Sequence, residues 1–306
     1  MTAIPEVSAI IPTYNRRELV VRAIRSALDQ TRPVEEIIII DDGSTDGTGE
    51  RLAAEFGDRI IQVRQANAGV SAARNRGMAM ARGRYLALLD SDDEWLPEKT
   101  ERQVAWLEAH PGFGMVLCDV ERIDIERKPI DRFRRREVIQ EDGWVLGSVL
   151  QNPALAPVSA MFRREVFADV GGFDESLATA EDLDFHLRVA AHWPIGVIDE
   201  VLARAIRGHD GLSSLSRTYD DYTRVIERAV AAAGDKVPAD VGQRALAAAY
   251  LRNARGAVFE NRFGDARRWI RTAQKTSANP DIRREARAMR VLALKRRVLN
   301  LFRRHP

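Results

Sequence analysis

Over its first 120 residues the chain alternates short apolar runs with longer stretches whose apolar positions recur at helical spacing. The runs VSAII (7–11), EIIII (36–40), RIIQV (59–63) and RYLALL (84–89) suit strands buried on both faces. Between them, residues 16–30, 47–56 and 70–81 are amphipathic and are predicted as helices. Strand, helix, strand in this rhythm implies an α/β fold with a parallel sheet and right-handed crossovers. Ligands of such sheets bind beyond the carboxyl ends of the strands. The polar punctuation falls there: PTYN at 12–15 after the first run, DDGSTD at 41–46 after the second and DSDD at 90–93 after the fourth.

The last 90 residues read as helices at 222–233, 241–260, 264–277 and 282–302, with breaks at 234–238, at 261–264 and at Asn279-Pro280. The stretch AAAYLRNARGAVFENRFGDARRWIRTAQKTSANP is similar to a tetratricopeptide-like hairpin, with small residues at the crossing and Asn-Pro at the close. One such unit is too little for a solenoid, so an all-α helical appendage is expected. The division predicted is 1–215 for an α/β body and 216–306 for a basic helical region.

Charge sharpens that division. Residues 216–306 hold 21 Lys and Arg against 9 Asp and Glu, which leaves 26 against 36 for the first 215 and hides both behind a net charge of +2. An acidic body is a poor partner for nucleic acid, whose affinity rests on neutralising phosphates, and no nucleic-acid partner is expected. The segment 283–306 sets nine Lys and Arg among Met289, Leu292, Leu294, Leu299, Leu301 and Phe302. Such a helix either lies on an anionic membrane or packs with a solvated basic face. No N-terminal apolar region of signal type follows Met1 and no apolar run reaches membrane-spanning length, so the expected location is cytoplasmic, with peripheral contact at the inner face of the membrane as the further possibility. The single cysteine, Cys118, rules out an internal disulfide and reads as a small core residue.

Two of the three polar loops bring acidic clusters to one crevice, where they would repel each other unless a cation sat between them. The spacing of Asp90 and Asp92 suits Mg²⁺ or Mn²⁺, which retain waters and take further ligands from a substrate's phosphates. Taken alone the pair is equally a solvated turn. Asp93 either joins that cluster or caps a helix expected over 96–109, with Pro97 in its first turn.

IIPTYNR, IIIDDGSTDGT, NAGVSAARNRG, YLALLDSDDEW, GGFDESL and EDLDF, in this order, resemble the inverting family 2 glycosyltransferases of GT-A fold over about residues 6–215. The resemblance implies a mostly parallel nucleotide-binding sheet flanked by helices, a nucleotide-diphospho-sugar donor, with UDP expected, and a divalent metal, Mn²⁺ or Mg²⁺. By the same resemblance Pro12, Thr13 and Tyr14 line the base, Asp41 accepts a hydrogen bond from a uracil-type imide, Asp90 and Ser91 lie at the ribose or the metal's waters, and Asp92 is the metal ligand. Asp42, Ser44 and Asp46 are read instead as the turn and helix cap around Gly43 and Gly47. Arg74 offers a planar donor fork to phosphate or to a neighbouring acid. Glu181 and Asp182 open an amphipathic helix, and Asp182 matches the base that takes the acceptor hydroxyl's proton, with Glu181 beside it; acids also favour helix N-termini for the macrodipole alone. Gly171 and Gly172 shape an acceptor-side loop with Asp174. Arg207 and His209 match a basic loop folding over the diphosphate, with His209 on metal or phosphate and the loop a mobile lid.

The function expected is an inverting, metal-assisted sugar transfer to a saccharide or lipid-linked acceptor in bacterial polysaccharide or glycoconjugate synthesis. The alternative is a binding or scaffold protein that kept the fold without turnover. A nicotinamide dehydrogenase is disfavoured because PTYN stands where GxGxxG would follow the first strand. Residues 121–142 are read as either an acceptor flap or an exposed loop.

Overall fold

The computed structural model describes residues 6–153, 156–208 and 218–303. The chain forms two compact units: one of Met1–Val145, Ala154–Ser176 and Arg188–Asp210, the other of Leu146–Pro153, Leu177–Leu187 and Gly211–Pro306.

The first unit is built on a nine-stranded sheet. Strands β1 (Val7–Thr13), β2 (Glu36–Asp41), β3 (Ile61–Arg64) and β4 (Tyr85–Leu88) pair in parallel in the order β3-β2-β1-β4, as the apolar runs predict. The helices between them are α1 (Arg17–Leu28), α2 (Thr48–Phe56) and α3 (Val70–Met80). Burial explains β2 and α1, where Ile37 to Ile40 are all enclosed and Val20, Val21, Ala23, Ile24 and Ala27 turn inward; β3 departs from the expectation, since this edge strand is exposed at Ile61 and Arg64 and not buried on both faces. Helix α3 lies so close to the sheet that a Cβ at Gly77 would stand 2.5 Å from Ile10 Cγ2.

Beyond β4 the sheet becomes mixed. β8 (Ala160–Arg163) runs antiparallel between β4 and β6 (Met115–Asp124), β9 (Ile195–Arg207) is parallel to β6, and β5 (Asp93–Trp95) closes the far edge antiparallel to β9. Residues 121–142 are not an irregular loop through their first half: β6 runs on to Asp124 and turns back as β7 (Pro129–Phe133), with a bulge at Arg122 and Ile123. The helix expected from residue 96 begins only at Lys99, as α4 (Lys99–Ala109). Asp93 is therefore not its cap; it lies in β5, and its Oδ1 accepts from the Ile206 backbone N–H at 3.1 Å. α6 (Arg164–Val170) follows β8 in the same unit.

In the second unit α5 (Leu146–Gln151) and the start of α7 (Glu181–His192) gather with α8 (Thr218–Ala233), α9 (Ala239–Phe259), α10 (Phe263–Thr276) and α11 (Pro280–Arg303). Its core is made of small and medium side chains, Ala247, Leu251, Ala254, Ala257, Ala266, Ile270 and Ala273 among them, which lets the helices cross closely. Gly256 makes one crossing possible, since a Cβ there would run into the Tyr219 ring. Arg228 donates to Asp184 Oδ1 at 2.9 Å, tying α8 to α7. Among the described residues no helix is long and apolar enough to cross a membrane.

Candidate active site

At the carboxyl edge of the parallel strands, Thr13 ends β1 and Asp41 ends β2 as register partners. Asp41 Oδ1 accepts from the Ser44 backbone N–H at 2.8 Å, which shapes the turn through Gly43. Its second oxygen, Oδ2, and the Thr13 hydroxyl are buried with no hydrogen-bond partner. Two adjacent polar groups are thus left unsatisfied in a place where the fold could have used apolar ones. A buried acceptor in need of a donor suits the imide N–H of a base.

The loop after β1 is fixed from both sides. Asn15 adopts φ +50°, a left-handed conformation that asparagine tolerates, and its Oδ1 accepts from Thr45 N at 2.8 Å while its own N–H donates to Ser44 Oγ. Tyr14 beside it is 48% exposed, with its ring open to stacking. Tyr14, Asn15, Arg16, Arg17, Glu18, Leu19 and Asp46 line a cavity of about 620 Å³, within the range of small-ligand sites. Pro12 is buried inside the strand, contributing backbone geometry.

Of the acids read as turn formers, Asp46 does that work, accepting from Thr48 N and Oγ1 at the head of α2. Asp42 does not. It reaches the next loop, where its oxygens accept from Gln65 Nε2, Ala68 N and Gly69 N at 2.8 to 2.9 Å and hold the entry to α3.

The 90–93 turn carries its acids on arginines. Arg74 Nη2 donates to Asp90 Oδ1 at 2.6 Å, and its guanidinium lies 5.1 Å from the Phe173 ring centroid. Arg16 Nη1 donates to Asp92 Oδ2 at 2.7 Å. Of the two fates open to Arg74, the structure shows the neighbouring acid. Ser91 is buried between the two carboxyls. Burial pushes the Asp93 carboxyl well above the ordinary carboxylate range, reinforced by the charges of Asp92 and Asp90 and opposed by Arg207 at the end of β9.

The residues fit a divalent ion of the Mg²⁺ or Mn²⁺ kind. Among the described residues no group of three or more His, Cys, Asp or Glu encloses a metal. Such ions need only one or two carboxylates when a diphosphate and water supply the rest. Asp92 and Asp90 offer hard oxygen donors of that kind, and both already balance a positive charge in the form of a guanidinium.

Across the first unit, then, Pro12, Thr13, Tyr14, Asp41, Arg74, Asp90, Ser91, Asp92 and Arg207 all stand at strand ends or in the segments that follow them. Gly171 and Gly172 belong to this unit too. Gly171 has φ +76°, and Gly172 leaves room for Asn75 of α3, whose amide accepts from Phe173 N at 2.7 Å and donates to Phe173 O and Glu175 Oε1. Asp174 closes its own turn by accepting from Ser176. Glu181 and Asp182 belong to the second unit, in the first turn of α7 behind Ala180 at φ +61°. Glu181 is buried, and Asp182 Oδ1 accepts from Leu183 N at 2.8 Å. His209 lies outside the described residues. The residues that sequence reasoning missed are Asn15 and Arg16. Both stand in the quoted IIPTYNR block, but Arg16 was counted into the helix that follows instead of the site.

Comparison with known proteins gives the family and the fold. The Bacillus subtilis (strain 168) glycosyltransferase TuaG, whose name refers to teichuronic acid biosynthesis, is 42% identical over 170 residues, 53% of this chain and 63% of that protein. The chain spans less than two thirds of the length of the curated relatives it matches first, down to 32% for an uncharacterized Rickettsia conorii glycosyltransferase. Among solved structures, S. aureus TarS 1–349 in complex with UDP-GlcNAc superposes with a TM-score of 0.67 at 17% identity, over 95% of this chain and 89% of that one. The mannosyltransferase PcManGT of Pyrobaculum calidifontis, in complex with GDP-Man and Mn²⁺, gives 0.60 at 20% identity over 98% and 88%. These two carry the fold, which is GT-A. The model of glycosyl transferase family 2 matches residues 8–171, the span that holds the ends of β1 to β4 and the loops that follow them, and with more than half of its length so matched the chain belongs to that family.

Proposed function

We propose that the protein transfers a sugar from a nucleotide-diphospho-sugar, with UDP the expected carrier, to an acceptor hydroxyl with inversion, in the synthesis of a bacterial cell-envelope polysaccharide. The observation that carries the reading is the unsatisfied Asp41 Oδ2 beside the unsatisfied Thr13 hydroxyl, in the same unit and at the same carboxyl edge as the arginine-held Asp90 and Asp92. TuaG, named for a cell-envelope polymer, and TarS, solved with UDP-GlcNAc, support the pathway and the donor class.

In this reading Asp41 accepts from the base and Tyr14 stacks on it, so the base is recognised by one hydrogen bond and one ring face. Asp90, positioned by Arg74, is placed to accept a hydrogen bond from the ribose or from water at the cation, and Asp92 would hold the cation. A Mg²⁺ or Mn²⁺ bound there would neutralise the diphosphate as the sugar leaves. Arg207 adds positive charge for the phosphates. The carboxyl of Asp182 removes the acceptor hydroxyl's proton as the new bond forms, which an in-line displacement requires. Of the apolar residues of the basic C-terminal helix, Met289 and Leu292 pack in the helical core, and the exposed Leu294 with the basic face is what would be left to meet an anionic membrane surface carrying a lipid-linked acceptor.

Calorimetric titration with a panel of nucleoside diphosphates and nucleotide-sugars, with and without Mn²⁺, tests the reading on the wild type and on Asp92→Ala and Asp182→Asn. Metal-dependent binding of one nucleotide, abolished in Asp92→Ala and retained in Asp182→Asn, is expected. Folded protein that binds no nucleotide under any metal condition would sink the transferase assignment.

A further inference from the structure

β8 runs antiparallel to both β4 and β6, so β6 points the same way as β4 and ends at the edge that holds the acidic turn. Past Asp124 it turns back as β7, which among the described strands pairs only with β6. The turn between them is closed on itself: Asp124 Oδ1 accepts from Glu126 N at 2.9 Å and from Lys128 N at 2.8 Å, and the Asp124 N–H donates to Lys128 O at 3.0 Å. Arg127, at φ +67°, donates from both terminal nitrogens to Glu94, at 2.7 and 2.8 Å, two residues beyond Asp92. The hairpin tip is thereby latched to the strand that leaves the acidic turn. Residues 125–132 are nevertheless exposed without a break, Ile125 at 62% and Ile130 at 53%.

Single exposed apolar residues are ordinary on any surface. Two on one fixed tip among cations are a pattern. Residues 121–136 hold seven Lys and Arg against four Asp and Glu, and the acids of the tip are taken up, Asp131 by Arg122 and Glu126 by Lys128. Arg132 and Arg134 are exposed and make no ion pair among the described residues. We propose that the β6–β7 tip is a membrane-contact element: Ile125 and Ile130 enter the boundary between headgroups and acyl chains of an anionic bilayer, and Arg132 and Arg134 meet its phosphates. Aliphatic side chains flanked by basic ones are the composition that binds such an interface. A tip exposed on both faces suits a soft surface, whereas a saccharide calls for a concave cleft and a stable protein partner for a larger patch. The inference rests on the lipid-linked acceptor of the reading above. It brings the carboxyl edge of the sheet, with its acidic turn, to the surface where such an acceptor lies, and it does so through the α/β unit itself, independently of α11.

Cys118 is the chain's one cysteine and is buried, so a cysteine placed on the tip takes a fluorophore selectively. The test is an environment-sensitive nitrobenzoxadiazole label on Ile130→Cys of the full chain, mixed with vesicles of phosphatidylcholine alone or of phosphatidylcholine with phosphatidylglycerol. A blue shift and brightening on the anionic vesicles, smaller on the neutral ones, is expected. The same label on Asp58→Cys, exposed at the opposite edge of the sheet between α2 and β3, should stay as in water. In sedimentation with the anionic vesicles, Ile125→Ser and Ile130→Ser together should weaken binding about tenfold and Arg132→Gln about fivefold. All three residues are exposed, so the fold tolerates the changes. A label at 130 that stays in water on vesicles the protein binds would assign the contact to another part of the chain and overturn the proposal, as would a full chain that binds no vesicle. A shift that grows with protein concentration in the absence of vesicles would point to a second copy and overturn it likewise. None of these results touches the nucleotide-binding reading, which the calorimetric titration tests separately.

Discussion

Lys99 is fully enclosed at the start of α4, with no carboxylate among its hydrogen-bond or ion-pair partners among the described residues. Its Nζ donates to Gln103 Oε1 at 2.6 Å and lies 4.5 Å from the Trp95 ring centroid. Burial lowers its pKa from 10.5 to about 8, with the nearby Cys118 acting weakly the other way. Below pH 8 both folded and unfolded chains carry the proton, and burying the charge costs the fold about 3 kcal/mol. Between 8 and 10.5 the unfolded chain binds more protons than the folded one, so stability rises with pH; above 10.5 nothing further is gained. From pH 7 to pH 9.5 this group alone should add about 2 kcal/mol to the unfolding free energy. Lys99→Met keeps the length and removes the titration. At pH 7 its gain is the charge term less about 1 to 2 kcal/mol for leaving Gln103 Oε1 without its donor, a net of roughly 1 to 2 kcal/mol in favour of the variant. Urea unfolding at the two pH values, compared between the two proteins, isolates the slope from every other titrating group. Equal pH dependence in wild type and variant would refute the reasoning, because it would mean that the amine reaches water or a partner in the folded state.

Asp41→Asn exchanges the unsatisfied acceptor for an amide that can turn a donor toward the base. UDP affinity should fall by about 1.5 to 3 kcal/mol, roughly ten- to a hundredfold, without loss of stability, since Oδ1 can still accept from Ser44 N; calorimetry and a urea melt read the two, and unchanged affinity would remove Asp41 from the base site. Gly172→Ala would drive a Cβ into the Asn75 amide and break the clamp between α3 and the 171–175 loop, costing about 1 to 3 kcal/mol in thermal or chemical denaturation; a neutral effect would show that the clamp yields freely.

The parallel half of the sheet was legible because β1, β2 and β4 are buried on both faces, so that each apolar run is unbroken and its end is marked by a polar loop, and because the edge strand β3, though exposed at Ile61 and Arg64, keeps the same rhythm. The other half was not. The second half of β6 and all of β7, ERID and PIDRF, mix charged with apolar residues and are only partly buried or exposed, so neither shows an unbroken apolar run; β6 is fixed by pairing with β9, far away in the chain, and β7 by the hairpin it makes with β6. The α4 boundary slipped by three residues because Asp93 reads as a cap, whereas its carboxyl is taken by a backbone N–H from β9, a contact 113 residues away. The passage of 146–153 and 177–187 into the helical unit was hidden for a similar reason: Gly147 faces Val241, and Thr179 meets Asp221. No local pattern announces such partners. Ordered motif blocks gave the strand-end acids and Arg74, and lost Arg16 because a residue at a helix cap has no periodicity of its own.

What marks the site physically is how the chain treats its acids, buried or not. Asp42 has three donors, Asp46 has Thr48 and the Arg17 backbone, Glu36 has Ser8 and Arg82, and Asp90 and Asp92 each have a guanidinium. A sequence selected only to fold would treat Asp41 in the same way or replace it. Other buried polar atoms also lack partners: the Tyr85 hydroxyl and the Trp95 indole N–H are edges of large rings that contribute packing whether or not the polar tip is satisfied, and Ser71 Oγ, Arg244 Nε and Asn253 Oδ1 lie on helices rather than at strand ends. Asp41 Oδ2 contributes no such packing and stands beside a second unsatisfied group on the adjacent strand, at the edge where α/β sheets receive ligands. The local rule that buried polar groups find partners fails here in a pair and at the right edge, and a donor group arriving with a ligand is the arrangement that restores it.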